Sequence, residues 1–129
     1  MHMETTTNDL MANSRLTFDD QVITKITALC AHEVDGILGM DGNVMDTIAD
    51  TFTKGDNTGK GIKVDVGEQQ VAIDVDVLLE FDRDAQALFH QLCERVSARI
   101  KQMTGLQVVA LNMNVKDVLT KREWQQQNR

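Results

Sequence analysis

The chain has 129 residues, no proline and no tyrosine, and 13 basic residues against 20 acidic ones, for a formal charge of −7. That length predicts one domain, able to bury roughly two-thirds of its unfolded surface without a disulfide or a structural metal. An acidic body repels nucleic acid and bare anionic lipid, and suits a basic partner or a basic segment of one.

The charge is uneven. Residues 116–129 carry four bases and two acids, so +2, and the remainder carries nine bases and eighteen acids, so −9. No apolar run approaches the roughly 18 residues of a membrane-spanning helix. The start, MHMETTTNDLMANS, lacks the basic head and apolar core of a secretion signal. Work at a membrane would therefore need something else to hold the protein there. Cys30 and Cys93 lie in helix-like patterns without CxxC spacing. They read as buried apolar residues in a reducing, cytoplasmic setting.

Residues 1–15 show no usable periodicity and are expected to form a flexible N-terminal tail. Thr17 and Asp20 then make a start resembling a capping box. Val22, Ile26, Leu29 and Cys30 form an apolar stripe at helical spacing, with Ile23 and Val34 at its margins. Lys25, His32 and Glu33 face water. Gly36 is a plausible stop for this helix. Gly36, Gly39 and Gly42 break regular structure, and Asn43 could cap a short helix with Val44, Ile48 and Phe52 on one side. KGDNTGKG returns to turn chemistry.

Six acids lie from Asp65 to Asp82, and alternation explains them. Ile62, Val64 and Val66 alternate with Lys63 and Asp65. Val71, Ile73, Val75, Val77, Leu79 and Phe81 alternate with Ala72, Asp74, Asp76, Leu78 and Glu80. A period of two predicts two strands with one dry and one wet face, joined by a tight turn at residues 67–70. Asp74 and Asp76 would lie about 6.6 Å apart along the strand. No histidine and no calcium-loop pattern accompanies them, so they are expected to form a solvated face. Charge on an open face discourages one sheet from sticking to another. Leu78 interrupts that polar row.

A second long helix begins at Asp82 or Asp84 and ends at Gly105. Its predicted stripe is Ala85, Phe89, Leu92, Val96, Ile100 and Met103, widened by Leu88 and Cys93. In the last strand, Val109, Leu111, Met113 and Val115 share the dry parity. The fold class is α+β: a three-stranded sheet with two long helices on one face, in the order α–(short α)–β–β–α–β. Residues 119–129 are a polar and basic C-terminal tail. Trp124, beside Lys121 and Arg122, could fold onto the body or anchor a partner.

No nucleophile elbow, phosphate-binding glycine loop or dinucleotide fingerprint occurs. His32 and His90 read as surface or boundary residues of helices. The residues thus supply no catalytic, cofactor-binding or metal-binding set. The nearest match to an RNA-gripping GXXG loop is GILG, residues 36–39, with an apolar interior and acidic surroundings.

AHEVDGILGM, KGIKVDVGEQQVAIDVDVLLEF and MTGLQVVALNMNVKDV, taken in order, resemble the alkaline shock proteins of Gram-positive bacteria. The resemblance covers about residues 15–118, which sets a single domain at 16–118. Glu33, Val34, Gly36 and Gly39 match the first block. Gly61, Val64, Val66, Gly67, Val71 and Ile73 match the second. Thr104, Gly105, Val109, Val115 and Val118 match the last. All are structural positions, so no catalytic role carries over. The insert at 41–59 and the lone Trp124 depart from the family pattern. The resemblance implies a non-catalytic scaffold or adaptor in general or cell-envelope stress. It would be cytoplasmic, capable of self-assembly, and brought to the membrane by a small membrane-anchored protein. Contacts are expected at Asp74, Asp76, Leu78, Glu80 and Trp124. The alternative is a small RNA-binding or ribosome-associated module; a third reading is an enzyme or ligand carrier with a pocket under residues 36–59.

Overall fold

The computed structural model describes residues 6–40, the backbone of residues 43–44, and residues 61–127. In chain order they form α1 (Thr7–Ala12), α2 (Asp20–Glu33), β1 (Ile37–Met40), β2 (Asn43–Val44), β3 (Ile62–Val66) and β4 (Gln70–Glu80). Then follow α3 (Ala85–Thr104), β5 (Gln107–Leu119) and α4 (Lys121–Gln127). The class is α+β, with α2 and α3 packed on each other and on one face of the sheet.

β4 is the centre. β5 runs parallel to it along its whole length. The other edge of β4 is shared end to end by two antiparallel strands. β3 pairs with Val71–Val75, and β1 with Val77–Leu79. β2 pairs outside β1, Gly39 opposite Val44 and Met40 opposite Asn43. The three-strand expectation therefore holds for β3, β4 and β5 but missed β1 and β2. Asn43 and Val44 are extended rather than the start of a short helix; Ile48 and Phe52 lie outside the described residues. Ile37, Leu38 and Gly39 of the GILG segment are likewise strand, not a nucleotide-gripping loop.

Gly36 is a swivel between α2 and β1 rather than a simple stop. Its φ is +111°, and a Cβ there would stand 2.9 Å from Leu88 Cδ1 and 3.0 Å from Arg83 Cζ. Glycine is thus required by both backbone and space.

The dry row of β4 is as read from alternation. Val71, Ile73, Val75, Val77 and Leu79 are buried beneath the helices with Leu88, Leu92, Val96 and Ile100. Phe81 departs from that row. It lies past the strand end, 62% exposed, with its N–H donating to the Leu119 carbonyl at 2.7 Å, and Asp82 turns the chain with φ +73°. The hairpin turn closes through Gly67 N–H to the Gln70 carbonyl, 2.8 Å.

The helix stripes sit slightly round from the expected ones. In α2 the inner side chains are Ile23, Ile26, Thr27, Cys30 and Ala31, while Val22 and Leu29 are exposed. Small residues let the helix approach closely, and Thr27 satisfies its hydroxyl on the Ile23 carbonyl at 2.8 Å. Asp19, not Thr17, stands at the N-cap, without a capping side-chain bond. In α3, Leu88 replaces Phe89 at the centre, and Ala85 and Met103 face solvent. Asp84 caps α3 by accepting from the N–H groups of Gln86 and Ala87, and left-handed Gly105 ends it.

β5 contains two bulges, where the register slips between Val71 and Ala72 and again between Val77 and Leu78. The first pushes Val109 outward, 54% exposed, against its expected dry parity. Past the second, Leu119 is 3% exposed. It belongs to the strand rather than to a tail.

Candidate interaction surface

The sheet face turned away from α2 and α3 carries the alternate residues of β4. Strand register sets a polar neighbour beside each of its first two carboxylates. Asp74 lies opposite Asn112 and accepts from its Nδ2 at 2.8 Å; Asp76 lies opposite Asn114 and accepts at 3.5 Å. On the β3 side, Lys63 is the register partner of Asp74. Asp74 is exposed, and Asp76 and Leu78 are half-buried. The result is a ladder of acids and amides along the strands. Among the described residues no group of three His, Cys, Asp or Glu side chains is placed to hold a metal ion.

Glu80 shares the parity of Asp74 and Asp76 but not their situation. Its side chain is only 12% exposed. It meets Arg83 Nη1 at 3.1 Å and Lys121 Nζ at 3.7 Å. Arg83 also reaches Asp35, 3.3 Å to the carboxylate and 2.8 Å to the carbonyl oxygen. Glu80 therefore ties the α2–β1 turn, the β4–α3 turn and α4 together, and is spent on the fold.

Trp124 lies half-buried on α4, the helix that follows β5. Thr120 and Glu123 cap α4 reciprocally. The Thr120 hydroxyl accepts from Glu123 N–H at 3.1 Å, and the Glu123 carboxylate accepts from Thr120 N–H at 3.0 Å. A second box, Thr6 with Asp9, starts α1 within the segment expected to be a flexible tail. Both follow the Thr-x-x-acid pattern, a signal present in the sequence.

Neither of the two described histidines enters a site: His32 is exposed, and His90 meets Glu94 at 3.2 Å along one helix. The cysteines are free thiols. Burial pushes both thiols up from their ordinary value, and for Cys30 the nearby Arg99 partly opposes it. This is the reverse of an activated nucleophile. A groove of about 660 Å³ lies between residues 14–18, the β3–β4 turn and Leu106; its charged lining residues are Arg15, Asp20 and Glu68.

The family model for alkaline shock protein 23, described as a family with cell envelope-related function, matches residues 9–120. The chain belongs to this family. The match ends where β5 gives way to α4. A "Stress response regulator gls24 homolog" of Streptococcus pyogenes serotype M3 (strain ATCC BAA-595 / MGAS315) is 32% identical over 126 residues, 96% of this chain and 70% of that protein. The "Uncharacterized protein YqhY" of Bacillus subtilis (strain 168) is 30% identical over 95 residues, 74% of this chain and 70% of that protein. Among solved structures, "MamM-CTD 215-293" aligns with a TM-score of 0.46 at 12% identity, over 77% of this chain and 99% of that one. The family places the chain in stress response and cell-envelope biology. Among the described residues no helix is long and apolar enough to cross a membrane.

Proposed function

We propose that the protein is a non-catalytic adaptor in the cell-envelope stress response, held at the membrane by a protein partner. The partner contact is the open face of β4 and β5, with Asp74, Asp76 and Leu78 as its centre and Trp124 of α4 at its end. Glu80 supports that surface from within. The observation that carries this reading is the Asp74–Asn112 pair, 2.8 Å long and exposed on the sheet. Register holds it in place on an exposed stretch of the sheet. A carboxylate oriented in this way suits a basic segment of a partner.

The test is cell fractionation of the tagged protein with Asp74→Lys and Asp76→Lys changed together. The wild type is expected in the membrane fraction under envelope stress, and the double variant in the soluble fraction, with unchanged circular dichroism. Equal membrane retention of a folded double variant overturns the assignment. A second test removes residues 120–129, leaving the buried Leu119 in place. That variant is expected to fold and to show weaker retention.

A further inference from the structure

The helical layer, across the sheet from the acid ladder, presents a pair of arginines that the fold leaves half-satisfied. Arg95 and Arg99 of α3 both reach the same oxygen of Glu33, Oε1, at 3.4 and 3.6 Å. A strong guanidinium–carboxylate bond is about 2.7–2.9 Å long, and each guanidinium has donors enough for both oxygens of a carboxylate. Two arginines thus share one acceptor, and loosely. Their side chains are 46% and 43% exposed. They line a groove of about 450 Å³ with Gln91, Glu94, Ala98 and Gln102. Glu94 is the one acid in that lining, and His90 meets it at 3.2 Å. The groove is therefore rich in N–H donors, in a chain of charge −7.

An apolar ridge adjoins the arginines. Leu29 stands four residues before Glu33, and so beside it on one face of α2. Val22 lies two turns earlier on the same face. Close packing of the small side of α2 leaves Leu29 43% and Val22 39% exposed. Lys25 and His32, also exposed, border the ridge on the flank opposite Glu33. A single exposed leucine is ordinary. Two apolar residues aligned over about three turns, with cations on both flanks, make a surface of defined chemistry.

We propose that this α2–α3 face docks an acidic amphipathic helix of a partner protein. Its apolar side chains lie on Val22 and Leu29, and its carboxylates take the donors of Arg95 and Arg99 that Glu33 leaves unused. Charge complementarity selects that occupant. A basic segment meets guanidiniums here and is drawn to Asp74 and Asp76 instead. An acidic segment is turned away by the sheet face and admitted only where the arginines stand. Two arginines are too few phosphate contacts for a nucleic acid on so acidic a body. An adaptor with this face has two contacts, on opposite sides of the sheet, that attract opposite charges. The second is measured on the purified protein, so its loss and the loss of membrane recruitment are separate results.

The probe is a fluorescent helical peptide of about four turns, with leucines at i, i+3 and i+7 and glutamates along one flank. A control peptide carries lysines in place of the glutamates. Anisotropy with the full chain is expected to show saturable binding of the acidic peptide, and at least about tenfold weaker binding of the lysine one. Arg95→Ala with Arg99→Ala weakens the acidic peptide at least about tenfold, and Leu29→Gln weakens it at least about threefold. Glu33→Gln tightens it, because the competing carboxylate is gone; an arginine pair that only braced α3 against α2 would give no such gain. Asp74→Lys with Asp76→Lys does not weaken it. Melting of each variant checks that it folds. Equal binding of the two peptides, or no saturable binding of the acidic one at millimolar protein, overturns the proposal. So does a folded double-arginine variant that binds as the wild type does.

Discussion

Asp74 and Glu80 lie on one strand, on one face, six residues apart, and the fold treats them differently. Asp74 is exposed and accepts a single amide bond from Asn112. Glu80 is nearly enclosed, held between Arg83 and Lys121. The reason is the company each end of β4 keeps. Its first half lies between β3 and β5, with the outer face open. Its second half adjoins the α2–β1 turn, the β4–α3 turn and α4, and three elements need one anion to hold them together. Alternation assigns a residue to a face; it does not say whether that face is covered.

The largest break in this contrast comes at Gly36. Gly36→Ala forces a side chain into the left-handed region and against Leu88 Cδ1 and Arg83 Cζ, at 2.9 and 3.0 Å. The expected loss is about 2–3 kcal/mol in urea unfolding. Arg83 must shift, so the Glu80 end loosens while the Asp74 end keeps its geometry. Hydrogen exchange separates the two: faster exchange in α4 and at Phe81, no change at Asp74.

Glu80→Gln keeps the shape and removes the charge. Arg83 and Lys121 retain access to water, their side chains 32% and 79% exposed, so neither is left as a buried lone cation. The expected cost is about 1 kcal/mol, read as a shift in the urea midpoint. A loss as small as that of an Asp74 substitution would mean that the two carboxylates differ in burial but not in role.

Much of the frame was legible because local chemistry decides it. Asp84 caps α3 and Gly105 ends it. The β3–β4 hairpin and the buried row Val71–Leu79 follow from alternation. Other features depend on what comes from elsewhere in the chain. The four residues of β1 are a strand because β4 is eleven residues long and β3 covers only part of its edge. That length mismatch was a readable hint. The β5 bulges were not readable, since alternation continues through them in the sequence, and they reverse the expected places of Val109 and Leu119. In α2 the largest apolar residues drew the stripe toward Val22 and Leu29, whereas close packing chose Thr27, Ala28 and Ala31. The candidate contacts divided in the same way. Asp74, Asp76 and Leu78 share a face by parity alone. The enclosure of Glu80 and the half-buried placement of Trp124 rest on α4, whose Thr120–Glu123 box was visible in the sequence but whose docking was not.

The smallest expected effect sharpens the contrast most. Asp74→Asn removes a charge but keeps the shape, and one amide oxygen can still accept from Asn112. The carboxylate is exposed, so water replaces whatever the exchange loses. Stability should stay within about 0.5 kcal/mol of wild type. Partner recruitment should nevertheless fall, because a basic segment reads the charge and not the hydrogen bond. Measured together, an unchanged urea midpoint and reduced membrane retention separate a binding carboxylate from a structural one. If Asp74→Asn instead destabilised the protein as much as Glu80→Gln, the Asp74–Asn112 pair would be a brace of the sheet, and the open face would lose its claim to be the docking surface.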